Sequence, residues 1–259
     1  MNYFDNENRI IERLQRVDSS SVYFPVEKEE LVVIFEAIHS EKQWKRWKDS
    51  SGKSDPPPDF YCEDLKLMMD VMRVDDHAFI NDKGKVDNPT NARESAIQKE
   101  LKASGILDGF PNIDSVFVNA ITDLPTEQDH NYKFYKDNFI RTVEEHKRKI
   151  GLYKQNHPGF KTIFFIFDES SAYVEAEQKP KDIYKGMPIT GRLHYWFFDK
   201  AFLQRFMNSD IDYVIWFTPF KYMKSDCNIV LPKVVFYDTQ QKIEEEKDYI
   251  NDKMVSSEI

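Results

Sequence analysis

Glycine and cysteine are both scarce in this chain of 259 residues, at 8 and 2. The few glycines match neither the phosphate-cradling loop nor the dinucleotide-binding turn, which excludes nucleotide recognition by those two routes. Cys62 and Cys227 are too few for a disulfide framework and point to a reducing, cytoplasmic compartment. The longest apolar runs, TIFFIF and YVIWF, are far too short to span a bilayer, so no membrane role is expected. The opening MNYFDNENRIIERLQRV lacks a basic segment followed by an apolar one and does not read as a signal peptide. Excess positive charge is missing as well: the formal net charge is -9. That argues against a general nucleic-acid coat while leaving room for a local basic patch. No serine sits in a nucleophile-elbow context, and no histidine pair has metalloprotease spacing, so acyl transfer and zinc hydrolysis find no support.

What is abundant is aromatic and charged: 20 Phe and 13 Tyr accompany 31% charged residues, the mixture of a folded core under a highly charged surface. Periodicity predicts a helix over 6–16, with Ile10, Ile11 and Leu14 on one side, and a longer one over 27–48 with an apolar stripe of Leu31, Ile34, Phe35 and Ile38. Three prolines at 56–58 break the chain. A polar loop over 77–91 precedes a helix that Gly105 ends. Further on come a strand at 114–122, a long helix stopped by His157-Pro158-Gly159, and a strand over 161–170 buried on both faces. A polar excursion, a strand LHYWFFD, a short helix and the strands IDYVIWFTPF and KVVFYDT follow. Alternating strands and helices with continuous apolar strands imply an α/β fold, a mixed, largely buried central sheet flanked by helices. One domain over 1–239 is expected, with a charged, helical tail over 240–259.

The stretch SDPPPDFYCEDLKLMMDVMRVDD carries the sharpest functional question. As a helix, LKLMMDVMRVDD puts Lys66, Asp70 and Arg73 on one charge-paired stripe. As a strand, it places Asp70 inside a buried apolar run, which costs several kcal/mol unless the acid is paired or holds a metal. In the strand reading, Pro58-Asp59 followed by Asp70 on a neighbouring strand resembles the PD-(D/E)xK restriction-endonuclease-like superfamily over residues 27–80. That resemblance implies Asp59 and Asp70 as ligands of Mg²⁺, Glu36 as a contributing helix acid, and a lysine steadying the attacking water. The lysine position is Met72, so the cation must come from elsewhere, with Lys66 or Arg73 as candidates. Asp64-Leu65-Lys66 also satisfies the written motif but lies only five residues beyond Asp59. In the alternative reading, Asp59 shapes a turn after proline and Asp70 pairs with Arg73 or Lys66 on a helix.

Just upstream, Lys42, Trp44, Lys45, Arg46, Trp47 and Lys48 interleave cations with aromatics, a composition suited to phosphate contact and base stacking. On a helix the two tryptophans share a face and pack inward, which is the preferred reading. His146-Lys147-Arg148-Lys149 reads as a solvated face. Asp75-Asp76-His77 holds three ligand types, but on an extended chain adjacent side chains point in opposite directions and cannot all reach one ion. Asp168-Glu169-Ser170-Ser171 reads first as a strand end with a turn or cap, and otherwise as the mouth of a small-molecule site. Two functional expectations follow: a Mg²⁺-dependent nuclease-like protein acting on DNA or RNA, or a non-catalytic α/β module binding a protein partner through aromatic residues. Nothing in the chain speaks to oligomeric state.

Overall fold

The computed structural model describes residues 7–50, 58–77, 79–81, 83–110, 112–113, 116, 118, 130–184, 186–223 and 230–258. The chain opens with α1 (Glu7–Gln15), β1 (Val22–Tyr23), α2 (Glu29–His39), α3 (Glu41–Trp44), β2 (Lys48–Asp49), β3 (Phe60–Cys62) and β4 (Leu67–Val74). A hairpin of β5 (Phe79–Ile80) and β6 (Val86–Asp87) leads into α4 (Pro89–Ser104), followed by α5 (Tyr132–Lys147) and α6 (Ile150–Asn156). The remainder holds β7 (Lys161–Asp168), β8 (Tyr173–Ala176), β9 (Gly191–Leu193), α7 (Lys200–Leu203), β10 (Tyr213–Phe217), β11 (Val234–Asp238) and β12 (Met254–Ser256).

Seven strands form one mixed sheet in the order β1-β11-β10-β7-β4-β3-β2. Its centre is parallel, with β4 on one side of β7 and β10 on the other, and β2, β3 and β4 form an antiparallel meander at one flank. The central strands read as unbroken apolar runs because both faces are covered. On one face, Met69, Val71, Ile163, Phe165 and Phe167 pack under the stripes of α1 and α2. On the other, Met72, Val74, Phe164, Ile166 and Trp216 meet Tyr135, Phe139 and Val143 of α5. Phe139 stacks on Trp216 with ring centroids 4.9 Å apart and planes within 2°. Helices on both faces of a sheet give the expected three-layer α/β architecture.

Residues 67–74 are a strand, which decides between the two readings of the methionine run. Lys66, at φ 53°, turns the chain out of β3, and pairing on both sides then satisfies the backbone of β4. The helix expected over 27–48 stops at His39, because Ser40 is extended; a single turn follows, and Lys48 already belongs to β2. The 77–91 loop contains the β5–β6 hairpin, and Gly105 caps α4 at φ 64° as expected. LHYWFFD is no strand beyond Leu193: a 3₁₀ turn over Trp196–Phe198 buries all three aromatics, which an alternating strand could not do with one covered face. The tail is not a helix either. Met254–Ser256 pairs antiparallel with β8, filling an edge whose backbone groups would otherwise lack partners. The strand expected at 114–122 lies outside the described residues.

Candidate functional site

The β3–β4 register pairs Phe60 with Met69, so one step further Asp59 stands across from Asp70 on the same side of the sheet. Here the ladder ends: the N–H of Val71 donates to Asp59 Oδ2 at 2.7 Å instead of to a strand carbonyl. Asp70 is 3% exposed. Its Oδ2 lies 2.6 Å from Nδ1 of His146 on α5, and its Oδ1 accepts the Tyr153 hydroxyl of α6 at 3.3 Å. Burial pushes the Asp59 carboxyl up to about 7, and the Asp70 charge adds to the rise against the opposing pull of the Val71 N–H and His146. The strands thus bring together the two acids that the resemblance singles out.

Other expected members of that site stand elsewhere. Glu36 is exposed on α2, and α2 covers the sheet face opposite His146 and Tyr153. Lys66 sits in the β3–β4 turn, 3.7 Å from Glu63 and 4.8 Å from the Phe160 ring centre. Arg73 reaches Glu169 at 3.8 Å and lies over Phe167. Met72 is core. The basic side chain beside the acids is instead His146, from the run that reads in the sequence as a solvated face. Upstream, Trp44 stacks on Trp47 at 5.3 Å and meets Phe60 edge-on at 5.0 Å, while Trp47 Nε1 donates to the Ala37 carbonyl. Both tryptophans pack inward. Lys42 and Lys45 are exposed, Arg46 pairs with Asp64 at 3.1 Å, and Lys48 lies 3.9 Å from Glu63.

A second polar constellation occupies the carboxyl edge of the parallel strands, where loops after β4, β7 and β10 meet. Asp76, wholly buried, accepts through Oδ2 the Ser171 N–H at 2.9 Å, the Ser171 hydroxyl at 2.7 Å and the Tyr173 hydroxyl at 2.7 Å. Its Oδ1 lies 3.2 Å from His130 Nδ1 and 3.5 Å from His77 Nε2. Burial opposes ionisation of Asp76, yet His130, His77 and the Tyr173 hydrogen bond together hold it well below the usual carboxylate range. Asp75 turns away to Asn88 and Asn138. The extended-chain argument therefore holds for Asp75 but not for Asp76 and His77, which a bend after β4 swings together.

Behind this group, Asp168 is wholly buried and accepts Tyr135 at 2.7 Å, Trp216 Nε1 at 2.9 Å and the Ser170 hydroxyl at 2.6 Å, with Lys221 Nζ at 3.4 Å. Burial lowers the Lys221 pKa, and the charges of Asp168 and Asp76 counteract it. In front, a cleft of about 270 Å³ opens over His77 and His130, lined also by Arg73, Asn88, Glu94 and Tyr222. No family model, curated protein or solved structure matches this chain. Its chemistry must be read from these two clusters alone. His130 and Lys221 escape sequence reading because their partners are 54 and 53 positions away and no local motif marks them. Among the described residues no helix is long and apolar enough to cross a membrane.

Proposed function

We propose that this chain is a divalent-metal-dependent, nuclease-like phosphodiester hydrolase in which Asp59 and Asp70 are the working acids. One observation carries the reading: the β3–β4 register sets Asp59 across from the buried Asp70, and burial together with the Asp70 charge pushes the Asp59 carboxyl up to about 7. Two carboxylates so placed require either a shared proton or a cation at neutral pH. The donor set suits a hard ion such as Mg²⁺, since both groups are carboxylates: Val71 steadies Oδ2 of Asp59, while His146 and the longer Tyr153 hydroxyl contact steady Asp70, and an ion would have to share the Asp70 oxygens with these partners. Bound there, the ion would polarise a phosphate oxygen and acidify a water. His146 is the basic side chain nearest the acids, where the motif would have its lysine, and it orients Asp70 through the contact between Nδ1 and Oδ2.

A second reading, a nuclease-like scaffold that binds a protein partner without catalysis, is favoured by Met72: the lysine position is a buried apolar residue, 2% exposed. Mixed single- and double-stranded DNA and RNA, incubated with the full chain under a Mg²⁺ and Mn²⁺ titration, separate the two. Metal-dependent cleavage lost in Asp59→Asn and Asp70→Asn, with circular dichroism unchanged, supports the hydrolase. Absence of cleavage with every nucleic acid and either ion removes it. Asp59→Asn carries the test should the buried Asp70 variant misfold.

A further inference from the structure

We propose that Asp76, His77 and His130 form a binding site for a first-row transition ion of the Zn²⁺, Fe²⁺ or Mn²⁺ class, independent of the acid pair. The three side chains can each offer one ligand atom, all within 4.8 Å of one another. The separations of 3.2 and 3.5 Å from Asp76 Oδ1 to the imidazole nitrogens of His130 and His77 are close to the spacing of atoms bound to one ion. Metal–ligand bonds of about 2.1 Å place neighbouring ligands roughly 3.0–3.4 Å apart in octahedral or tetrahedral geometry.

The support around the ligands is that of a metal centre. Ser171 and Tyr173 fix Asp76 Oδ2 with three hydrogen bonds, orienting Oδ1 toward the histidines. Such outer partners fix a carboxylate ligand and tune its basicity. The imidazoles stand edge to face, with centroids 4.7 Å apart, so both rings reach the same oxygen. A simple ion pair between Asp76 and His130 accounts for one contact but not for the second imidazole on the same oxygen. Two nitrogens and one carboxylate favour a borderline transition ion over Mg²⁺ or Ca²⁺. Three protein ligands beside a cleft leave coordination positions for water or a substrate atom, the pattern of catalytic rather than structural sites. The ligands sit beyond the end of β4, whereas Asp70 lies inside it, so the two centres have separate first shells.

The test is a Co²⁺ titration of the full chain after chelator treatment, followed by visible absorption and calorimetry, with Zn²⁺ in competition. One nitrogen-ligated Co²⁺ per chain by its d–d bands, displacement by Zn²⁺, and at least a 100-fold affinity loss read at those bands in His77→Gln and in His130→Gln are expected. Asp59→Asn leaves the bands and their midpoint at wild-type values, which separates this site from any ion held by the acid pair. Nitrogen-ligand bands that survive the His77→Gln/His130→Gln double variant, or no such bands up to millimolar Co²⁺, overturn the proposal. Because the readout is affinity and spectrum, inactivity toward nucleic acids leaves the result unaffected.

Discussion

Asp59 stands across the β3–β4 pair from Asp70 while accepting the N–H of Val71, the residue next to that partner. One side chain thereby both ends a strand ladder and brings its charge against a buried acid. The arrangement is held in place by the hydrogen-bonded register of the two strands, so Asp59 cannot relax by a rotamer change without leaving the Val71 N–H without its acceptor.

A carboxyl raised from 3.8 to about 7 on folding disfavours the ionised folded state by up to about 4 kcal/mol. The folded pKa lies above the unfolded one. Stability associated with Asp59 is therefore fully present below pH 4 and declines as pH rises through 7. Asp59→Asn keeps an acceptor for Val71 without the charge. Urea denaturation from pH 4 to 8 should show the variant gaining on wild type as pH rises, and the two curves meeting in acid. Parallel curves at all pH values would contradict the coupling.

His146 and Asp70 should behave as one unit. Removing the imidazole leaves a buried carboxylate with, among the described residues, the Tyr153 hydroxyl as its remaining side-chain donor, costing about 2 kcal/mol. In a double-mutant cycle, His146→Ala and Asp70→Asn are expected to couple by about 1–3 kcal/mol. Additive losses would mean that the contact contributes little.

Lys221→Met tests the buried pair with Asp168. Truncating one partner of such a pair typically costs 3–5 kcal/mol, and the other donors to Asp168 place the expected loss near the lower figure, about 3 kcal/mol. Adding Asp168→Asn should recover part of it. A thermal scan showing no change for Lys221→Met would remove this residue from the structural frame of the carboxyl edge.

Trp44→Ala is expected to lower stability by about 2–3 kcal/mol, because the ring packs on Trp47 and Phe60. Lys42→Gln and Lys45→Gln, both at exposed positions, should leave stability within about 0.5 kcal/mol of wild type. Thermal midpoints measured side by side check the contrast. A destabilised lysine variant with an unperturbed Trp44→Ala would reverse the assignment.

Gly191→Ala should destabilise the three-stranded sheet, since a methyl there would overlap the Glu175 carbonyl across the β8–β9 pair. The atoms it would meet, O and C of Glu175 and Cα of Ala176, are all backbone, so none can swing aside, and a loss of several kcal/mol is expected. Hydrogen exchange over residues 173–176 reports it directly.

The layered α/β fold was legible because β10 is apolar throughout and β7 is apolar without a break from Ile163 to Phe167, a pattern that only two covered faces explain. The methionine run was ambiguous because methionine and leucine favour helix by propensity. Pairing with β3 and β7 overrides that preference. The tail misled in the opposite way: IEEEKDYIND looks helical by charge, but its end completes an edge built some eighty residues earlier. The acids of the β3–β4 pair could be named only through the resemblance drawn on Pro58-Asp59 and Asp70, and only in the strand reading of 67–74. His146 could not, since its partner lies 76 positions away and its neighbours Lys147, Arg148 and Lys149 disguise it as surface. The histidine pair around Asp76 was hidden for the same reason, and also because a bend, unlike a strand, lets adjacent side chains converge.

Ser171 bonds Asp76 with both its N–H and its hydroxyl, and that hydroxyl lies 2.8 Å from Ser256 on the last strand. Positions 76, 130, 171 and 256 must therefore all be in place before the carboxyl edge acquires its final shape. Such far-apart closures are slow to form and break together. Occupancy of that edge should thus be felt beyond the ligands: a bound ion there would act as a clasp on segments far apart in the chain, and its removal would loosen β8 and β12 along with the loop that carries the ligands.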